Sequence, residues 1–157
     1  DQQYWNKPVA WFGDINAKVI MIGLAPAAHG ATRTGRVFTG DKSSDFLFNC
    51  LHQSGFSNQP TSNHIKDGLK LKNLYITLAL KCVPPQDKPT TIELKNCSNF
   101  SEQELHLLKS KKTIVTSHSR QKADTTTTIS DLLQKTPLNR GLHPSTMRGH
   151  HRTISAV

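Results

Sequence analysis

The run AKVIMIG at residues 17–23 is apolar at nearly every position and is stopped by a glycine. A half-buried strand alternates apolar and polar residues. A continuous apolar run must be covered on both faces, which is the condition of a strand inside a parallel sheet. KNLYITLALKC at 72–82 is a second run of this kind, and KKTIVTSH at 111–118 is a third strand candidate. Between them, SSDFLFNCLHQSGF (43–56) and TIELKNCSNFSEQELHLLKS (91–110) read as helices. Ser43 or Ser44 is placed to cap the first, and Gly55 to end it. Phe46, Leu47, Cys50 and Leu51 would share its buried face, with Cys50 as a small core residue. Strand, helix, strand, helix, strand predicts an α/β fold with a parallel sheet. The polar stretch 59–68 reads as a loop. From about residue 116 the apolar periodicity fades, so 116–157 reads as loop or disorder with a short helix at 129–135. A length of 157 residues suits one domain, 1–157, and no internal repeat is visible.

Charge narrows the partners. Twenty Lys and Arg against 11 Asp and Glu leave a formal charge of +9. An excess of this size favours a polyanion, with solubility alone as the other reading. No apolar run approaches the roughly 18 residues of a membrane-spanning helix. Three cysteines, Cys50, Cys82 and Cys97, make an odd count. That argues against a disulfide framework and for a reducing compartment.

In sheets of this class ligands bind beyond the C-terminal ends of the strands. That rim carries the chain's most unusual stretch, GLAPAAHGATRTGRVFTGD at 23–41. Its glycines permit close approach of a ligand, and its backbone N–H groups can cradle an anion. Arg33, Arg36 and Lys42 are the residue types that pair with phosphates. Phe38 can stack on a planar ring or fill the core. Asp41 can polarise a water, or favour the dipole of the helix that follows it. The spacing from Gly30 to Gly35 is that of a phosphate-binding P-loop, but Arg36 and Val37 stand where Lys and Ser/Thr are needed, so that reading fails. Cys82 and Cys97 lie on the second rim segment without a CxxC pair, a weak metal signal by themselves. In the third segment, Pro144 restricts the backbone of His143.

Three segments, GLAPAAHGATRTGRVFTGD, KCVPPQDKPTTIELKNC (81–97) and HPS (143–145), together resemble the family 5 (type B) branch of the iron–sulfur uracil-DNA glycosylases. The likeness extends over residues 4–110. It implies a three-layer α/β/α sandwich around a central parallel sheet. It implies hydrolysis of the N-glycosidic bond of uracil, and of other deaminated bases, in DNA. It also implies a [4Fe–4S] cluster held by four cysteines. Cys82 and Cys97 match two of these, and the other two are expected in a segment upstream of Asp1.

Site roles follow from the same resemblance. Asp41 and His143 match the catalytic pair. Asp41 would stabilise the sugar cation and orient water, and His143 would donate to a carbonyl oxygen of the departing base. Phe38 matches the aromatic under the flipped base, with Gly23, Leu24, Ala25 and Asp87 around it. Arg33, Arg36, Lys42 and Ser145 would contact DNA. The expected protein is a monomer, cytoplasmic and nucleoid-associated, with DNA as partner and no membrane association. The chain departs from the family pattern at Thr32 and Arg148, where Asn is usual, and at Asp87, often Asn. It also departs at Leu78–Leu80, where bulky Leu78 would narrow the pocket. The third strand ends in TSH, and the segment between it and HPS is short, so the C-terminal third looks degraded or shortened. A catalytically weak or inactive DNA-binding remnant is the alternative function.

Overall fold

Apolar strands need partners on both edges and cover on both faces, and the chain supplies both. The computed structural model describes residues 4–108 and 113–116. Strands β1 (Phe12–Gly13), β2 (Val19–Gly23), β3 (Leu74–Leu78) and β4 (Thr113–Thr116) form one sheet in the order β1-β3-β2-β4. β2 runs parallel to β3, with Val19 opposite Leu74 and Gly23 opposite Leu78, and parallel to β4 on its other edge. The antiparallel edge strand β1 is the exception to the expected parallel sheet. Its two residues are too few to leave a periodic pattern.

The strands bury alternate residues in two clusters. Ile20, Ile22 and Tyr75 pack with Leu94 and Leu105 of α3 (Thr91–Leu107). Leu74, Ile76 and Leu78 pack with Phe48 and Leu51 of α2 (Lys42–Gln53). All five residues of β3 are buried, as its unbroken apolar sequence requires.

Helix α2 forms where the sequence places it, but its cap and its buried face differ. Asp41 is the N-cap, in place of Ser43 or Ser44. Its Oδ1 accepts from the Ser44 N–H at 2.9 Å, while Ser44 Oγ accepts from the Asp41 N–H at 3.2 Å, a reciprocal capping box. The buried stripe is Ser44, Phe48 and Leu51. Phe46 is 69% exposed and Cys50 is exposed, so Cys50 is no core residue. Phe48 decides the rotation. Burying a phenylalanine contributes about 1.5–3 kcal/mol, more than a thiol could. The C-terminus closes as a Schellman motif. Gly55, at φ 75°, donates to His52 O, and the Phe56 N–H donates to Leu51 O at 2.8 Å.

Helix α3 is opened by a second capping box, between Thr90 and Glu93. The Thr90 backbone N–H and hydroxyl donate to the Glu93 carboxylate and hold it below its ordinary pKa. Leu94, Ser101 and Leu105 face inward at helical spacing. The short helix expected at 129–135, and the reading of the chain beyond Thr116, lie outside the described residues.

Candidate functional site

β2 and β3 end side by side, and the chain leaves β2 directly into the Gly-rich loop. The strand pairing continues past their ends, the Ala79 N–H donating to Gly23 O at 2.8 Å and the Leu80 N–H to Leu24 O at 2.9 Å. The loop then makes one short helix, α1 (Ala31–Thr34), between Gly30 and Gly35. Its return to α2 is built from side chains.

Arg36 is the centre of that return. It is 4% exposed. Its guanidinium donates to both carboxylate oxygens of Asp67, at 2.9 and 2.7 Å, to Ser62 Oγ at 2.9 Å and to Thr39 Oγ1 at 2.9 Å. It also lies 4.9 Å from the centre of the Phe12 ring. Burial raises the Asp67 pKa. The Arg36 hydrogen bonds and the backbone N–H groups of Leu69 and Asn63 outweigh that and hold the carboxyl far below its ordinary range. Arg36 was expected on DNA. Four of its five donors are instead engaged inside the protein, so it is a lock for the loop. Arg33 is partly engaged, its Nε and one terminal N–H donating to His29 O and Gly40 O, each at 2.9 Å. Lys42 is exposed at the start of α2, and Arg33, Lys42 and Asn63 border one shallow hollow.

Phe38 sits between Arg36 and Asp41 with φ at 47°. A bulky residue in the left-handed region is strained and persists only where its neighbours fix it, a pattern concentrated at functional sites. Val37 and Thr39 on either side are fully buried. Gly23 makes room for the ring. A Cβ there would lie 2.9 Å from Phe38 Cζ and 2.8 Å from Leu78 Cδ2. Phe38, Leu78, Ala25, Pro26 and Asp41 enclose a pocket of about 110 Å³. A wider cleft of about 420 Å³ adjoins it, also lined by Ala25, Pro26 and Asp41, and beyond them by Leu24, His29 and Asp87.

Asp41 therefore has two surroundings. Oδ1 caps α2 and accepts from the Ser43 hydroxyl at 2.6 Å. Oδ2 lies over Gly30, where any side chain would collide with it. The helix-terminal reading of Asp41 holds, and the same residue also lines the pocket and the cleft. Asp87 reaches the cleft from a 3₁₀ turn at Pro85–Asp87. Gln86 at φ 56° and Asp87 at φ 55° are consecutive left-handed residues without a glycine, a further strained backbone at the rim.

Cys82 and Cys97 come together. The first is exposed just past β3 and the second is half-buried on α3. They share a hollow of about 300 Å³ with Leu80 and Phe100. The Lys81 N–H donates to Cys97 Sγ at 3.4 Å. The Lys81 ammonium is buried, with Thr77 Oγ1 at 2.6 Å and Glu104 Oε2 at 2.7 Å. Burial pulls its pKa down, partly offset by Glu104. A [4Fe–4S] cluster takes four thiolates. Among the described residues no group of three or more His, Cys, Asp or Glu is placed to hold a metal. The described residues bring two thiols to one hollow and do not fit the cluster by themselves.

The structure adds His29, which sequence reasoning left without a role. It lines the 420 Å³ cleft, and its Nδ1 is 2.8 Å from the Tyr4 hydroxyl. The signal was a histidine inside the Gly-rich loop, but its aromatic partner lies 25 residues away. His143 and Ser145 lie outside the described residues. Gly23, Leu24, Ala25, Phe38, Asp41 and Asp87 are brought to one rim.

Residues 10–153 match the family model of the uracil DNA glycosylase superfamily. The chain belongs to that superfamily. It is similar to the type-5 uracil-DNA glycosylase of Pyrobaculum aerophilum, 49% identical over 106 residues, which are 68% of this chain and 47% of that protein. The Thermus thermophilus type-5 enzyme is also 49% identical, over 107 residues, 68% of this chain and 48% of its own. The Mycobacterium leprae type-5 enzyme is 45% identical over 108 residues, 69% of this chain and 47% of its own. The chain spans about half the length of the curated relatives it matches. Among the described residues, no helix is long and apolar enough to cross a membrane.

Proposed function

We propose that this chain is a DNA-repair glycosylase that hydrolyses the N-glycosidic bond of uracil, and of other deaminated bases, with the base flipped into the pocket beneath residues 23–41. One observation carries the reading. An aromatic ring held in a strained pose and a carboxylate line the same small pocket, at the C-terminal ends of two parallel strands. Flipping costs a few kcal/mol of unstacking, so the pocket must offer the base a surface in return, and Phe38 is that surface. Gly23, Leu24 and Ala25 bring backbone to the base edge, and Asp87 closes the rim.

In the reaction the bond from C1′ to the base nitrogen breaks and its electron pair leaves with the base. A water oxygen bonds to C1′, and the proton it releases ends on the base. The sugar passes through an oxocarbenium-like state, which the Asp41 carboxylate stabilises while orienting the water. His143 donates to the carbonyl oxygen where the base gathers charge. Arg33, Lys42 and Ser145 contact phosphates. Residues 1–157 would belong to a single three-layer α/β/α domain that is incomplete at its N-terminus here, in a protein that is a monomer, cytoplasmic and nucleoid-associated. It would carry a [4Fe–4S] cluster with Cys82 and Cys97 as two of four ligands.

Strand cleavage of a uracil-containing oligonucleotide after alkali tests this. Asn caps helices as well as Asp, so Asp41→Asn keeps the fold and removes only the carboxylate. Base release by that variant is expected to fall at least ~10²-fold. Equal release by both proteins would remove Asp41 from the mechanism. Salt-sensitive DNA binding with no release by either would favour the binding remnant.

A further inference from the structure

We infer that the tip of the loop 57–71 is a DNA contact apart from the base pocket. Ile65 presses into the base stack beside the flipped nucleotide, while His64 and Lys66 take the phosphates that flank it. The inference rests on the glycosylase reading above and gives a role to a polar segment that the pocket does not use.

The loop is closed at its base and tied at its tip. Ser57 and Leu71 form an antiparallel bridge, and the Asn58 N–H donates to Lys70 O at 3.2 Å. Buried Ser62 joins the loop to the Gly-rich segment. Its carbonyl accepts from the Gly40 N–H at 2.8 Å, and its hydroxyl is 2.7 Å from that of Thr39. The Asp67 N–H donates to His64 O at 3.2 Å, so residues 64–67 make a β-turn with Ile65 and Lys66 at its corners. The Asp67 carboxylate accepts from the Asn63 N–H at 2.9 Å and from Arg36, which fixes the turn to the buried ion pair. Turn corners favour Gly, Pro, Asn, Asp and Ser. Here one holds an isoleucine, 52% exposed, the one branched aliphatic side chain between Asn58 and Gly68.

Its neighbours suit a polyanion. His64 and Lys66 are exposed. The Lys66 N–H donates to His64 Nδ1 at 3.2 Å, which puts the ring proton on Nε2, a donor for a phosphate oxygen. The acid of the turn, Asp67, is already paired with Arg36. Asn63, just before the turn, borders the hollow shared by Arg33, Asp41 and Lys42, and Asp41 also lines the base pocket. The turn thus begins one residue from the pocket rim. A lone exposed isoleucine needs no explanation. A rigid turn that presents one between two phosphate-binding residues, beside that rim, does. Flipping a base leaves a gap in the stack, and an apolar wedge such as isoleucine fills a gap of this kind while donors and cations hold the bent backbone.

The test uses the full chain and one sequence carrying a single uracil, offered as a paired duplex and as a single strand, which has no pairing and less stacking to break. Ile65→Ala should lower the duplex-to-single-strand ratio of kcat/KM for base release by ~10-fold or more, and Ile65→Met, which keeps an apolar tip, should hold most of it. A second readout needs no chemistry. In a duplex with 2′-fluorinated deoxyuridine, which blocks base release, a 2-aminopurine beside the uracil brightens when it is unstacked. Wild type should brighten it on binding, and Ile65→Ala should lose most of that rise. Lys66→Gln should lower the slope of log K against log salt by about 0.9, and an unchanged slope would overturn the phosphate half of the inference. A release ratio unchanged within about twofold, or equal losses on both substrates, would overturn the wedge. Brightening by wild type and not by Ile65→Ala, with no release from ordinary uracil DNA by either, would sink the catalytic proposal and leave the wedge standing. Base release by wild type without brightening would do the reverse.

Discussion

Replacing Arg36 with Met removes a buried charge while keeping an unbranched apolar stem. Arg36 and Asp67 are 4% and 8% exposed, with 2.7 Å between Nη2 and Oδ2. Breaking such a pair from one side costs about 3–5 kcal/mol, mostly for the charge left behind. Asp67 keeps the backbone N–H groups of Asn63 at 2.9 Å and Leu69 at 3.0 Å, which hold part of its charge. The low end, about 3 kcal/mol, is therefore expected. For a chain of this size that lowers Tm by roughly 6–12 °C. The denaturation midpoint should fall with the slope m unchanged.

The pH dependence is the sharper reading. Folded Asp67 has a depressed pKa, so its stabilising contribution is complete above its unfolded value, about 3.9, and is lost as pH falls toward the folded value. The gap between wild type and Arg36→Met should be full at neutral pH and shrink steadily below about pH 4. Adding Asp67→Asn to Arg36→Met removes the stranded charge and should recover part of the loss. A loss under about 1 kcal/mol, or the same loss at neutral and acid pH, would refute the reading of Arg36 as a buried lock.

Lys42 is exposed and stands at the hollow beside Arg33. Lys42→Ala should lower the slope of log K against log salt for DNA binding by about 0.9, the value of one phosphate contact, whereas a folded Arg36→Lys variant should leave it unchanged. Gly23→Ala places a carbon within 2.9 Å of the Phe38 ring and 2.8 Å of Leu78. Its Tm should fall, and its affinity for a uracil duplex should fall toward that for an undamaged one; a variant with wild-type selectivity would show that the ring position does not matter.

β2 and β3 were legible in the sequence because an unbroken apolar run is a local signal, and α3 was read as a helix without its Thr90–Glu93 cap. The rotation of α2 was not. Phe46, Phe48 and Cys50 all sit in one apolar stretch, and which of them turns inward depends on the sheet beneath. α1 was missed because four residues between two glycines carry no period; surrounding chain holds them. Of the candidate site, the placement of Asp41 and Phe38 on one rim was legible from their stretch. Arg36 was misread as a phosphate contact, since its partner Asp67 lies 31 residues away and nothing in the intervening polar segment marks it. His29 was missed for the same reason, with Tyr4 as its distant partner.

The number of polar residues after β2 overstates what faces a ligand. Arg36 and Thr39 point inward and bond to Ser62 and Asp67, and Thr34 Oγ1 donates to Gly30 O at 3.1 Å. Their work is mechanical. Phe38 is held at a positive φ that costs about 1–3 kcal/mol, and a free loop would relax out of it. The nearest interactions able to offset that cost are the Arg36–Asp67 pair two residues before it and the Thr39–Ser62 hydroxyl contact of 2.7 Å one residue after it. The pose of the ring that would meet a flipped base is thus coupled to a buried ion pair that no base touches. Loss of Arg36 should therefore weaken binding of a flipped base even at temperatures where the fold survives, through Phe38 and not through any lost contact with DNA.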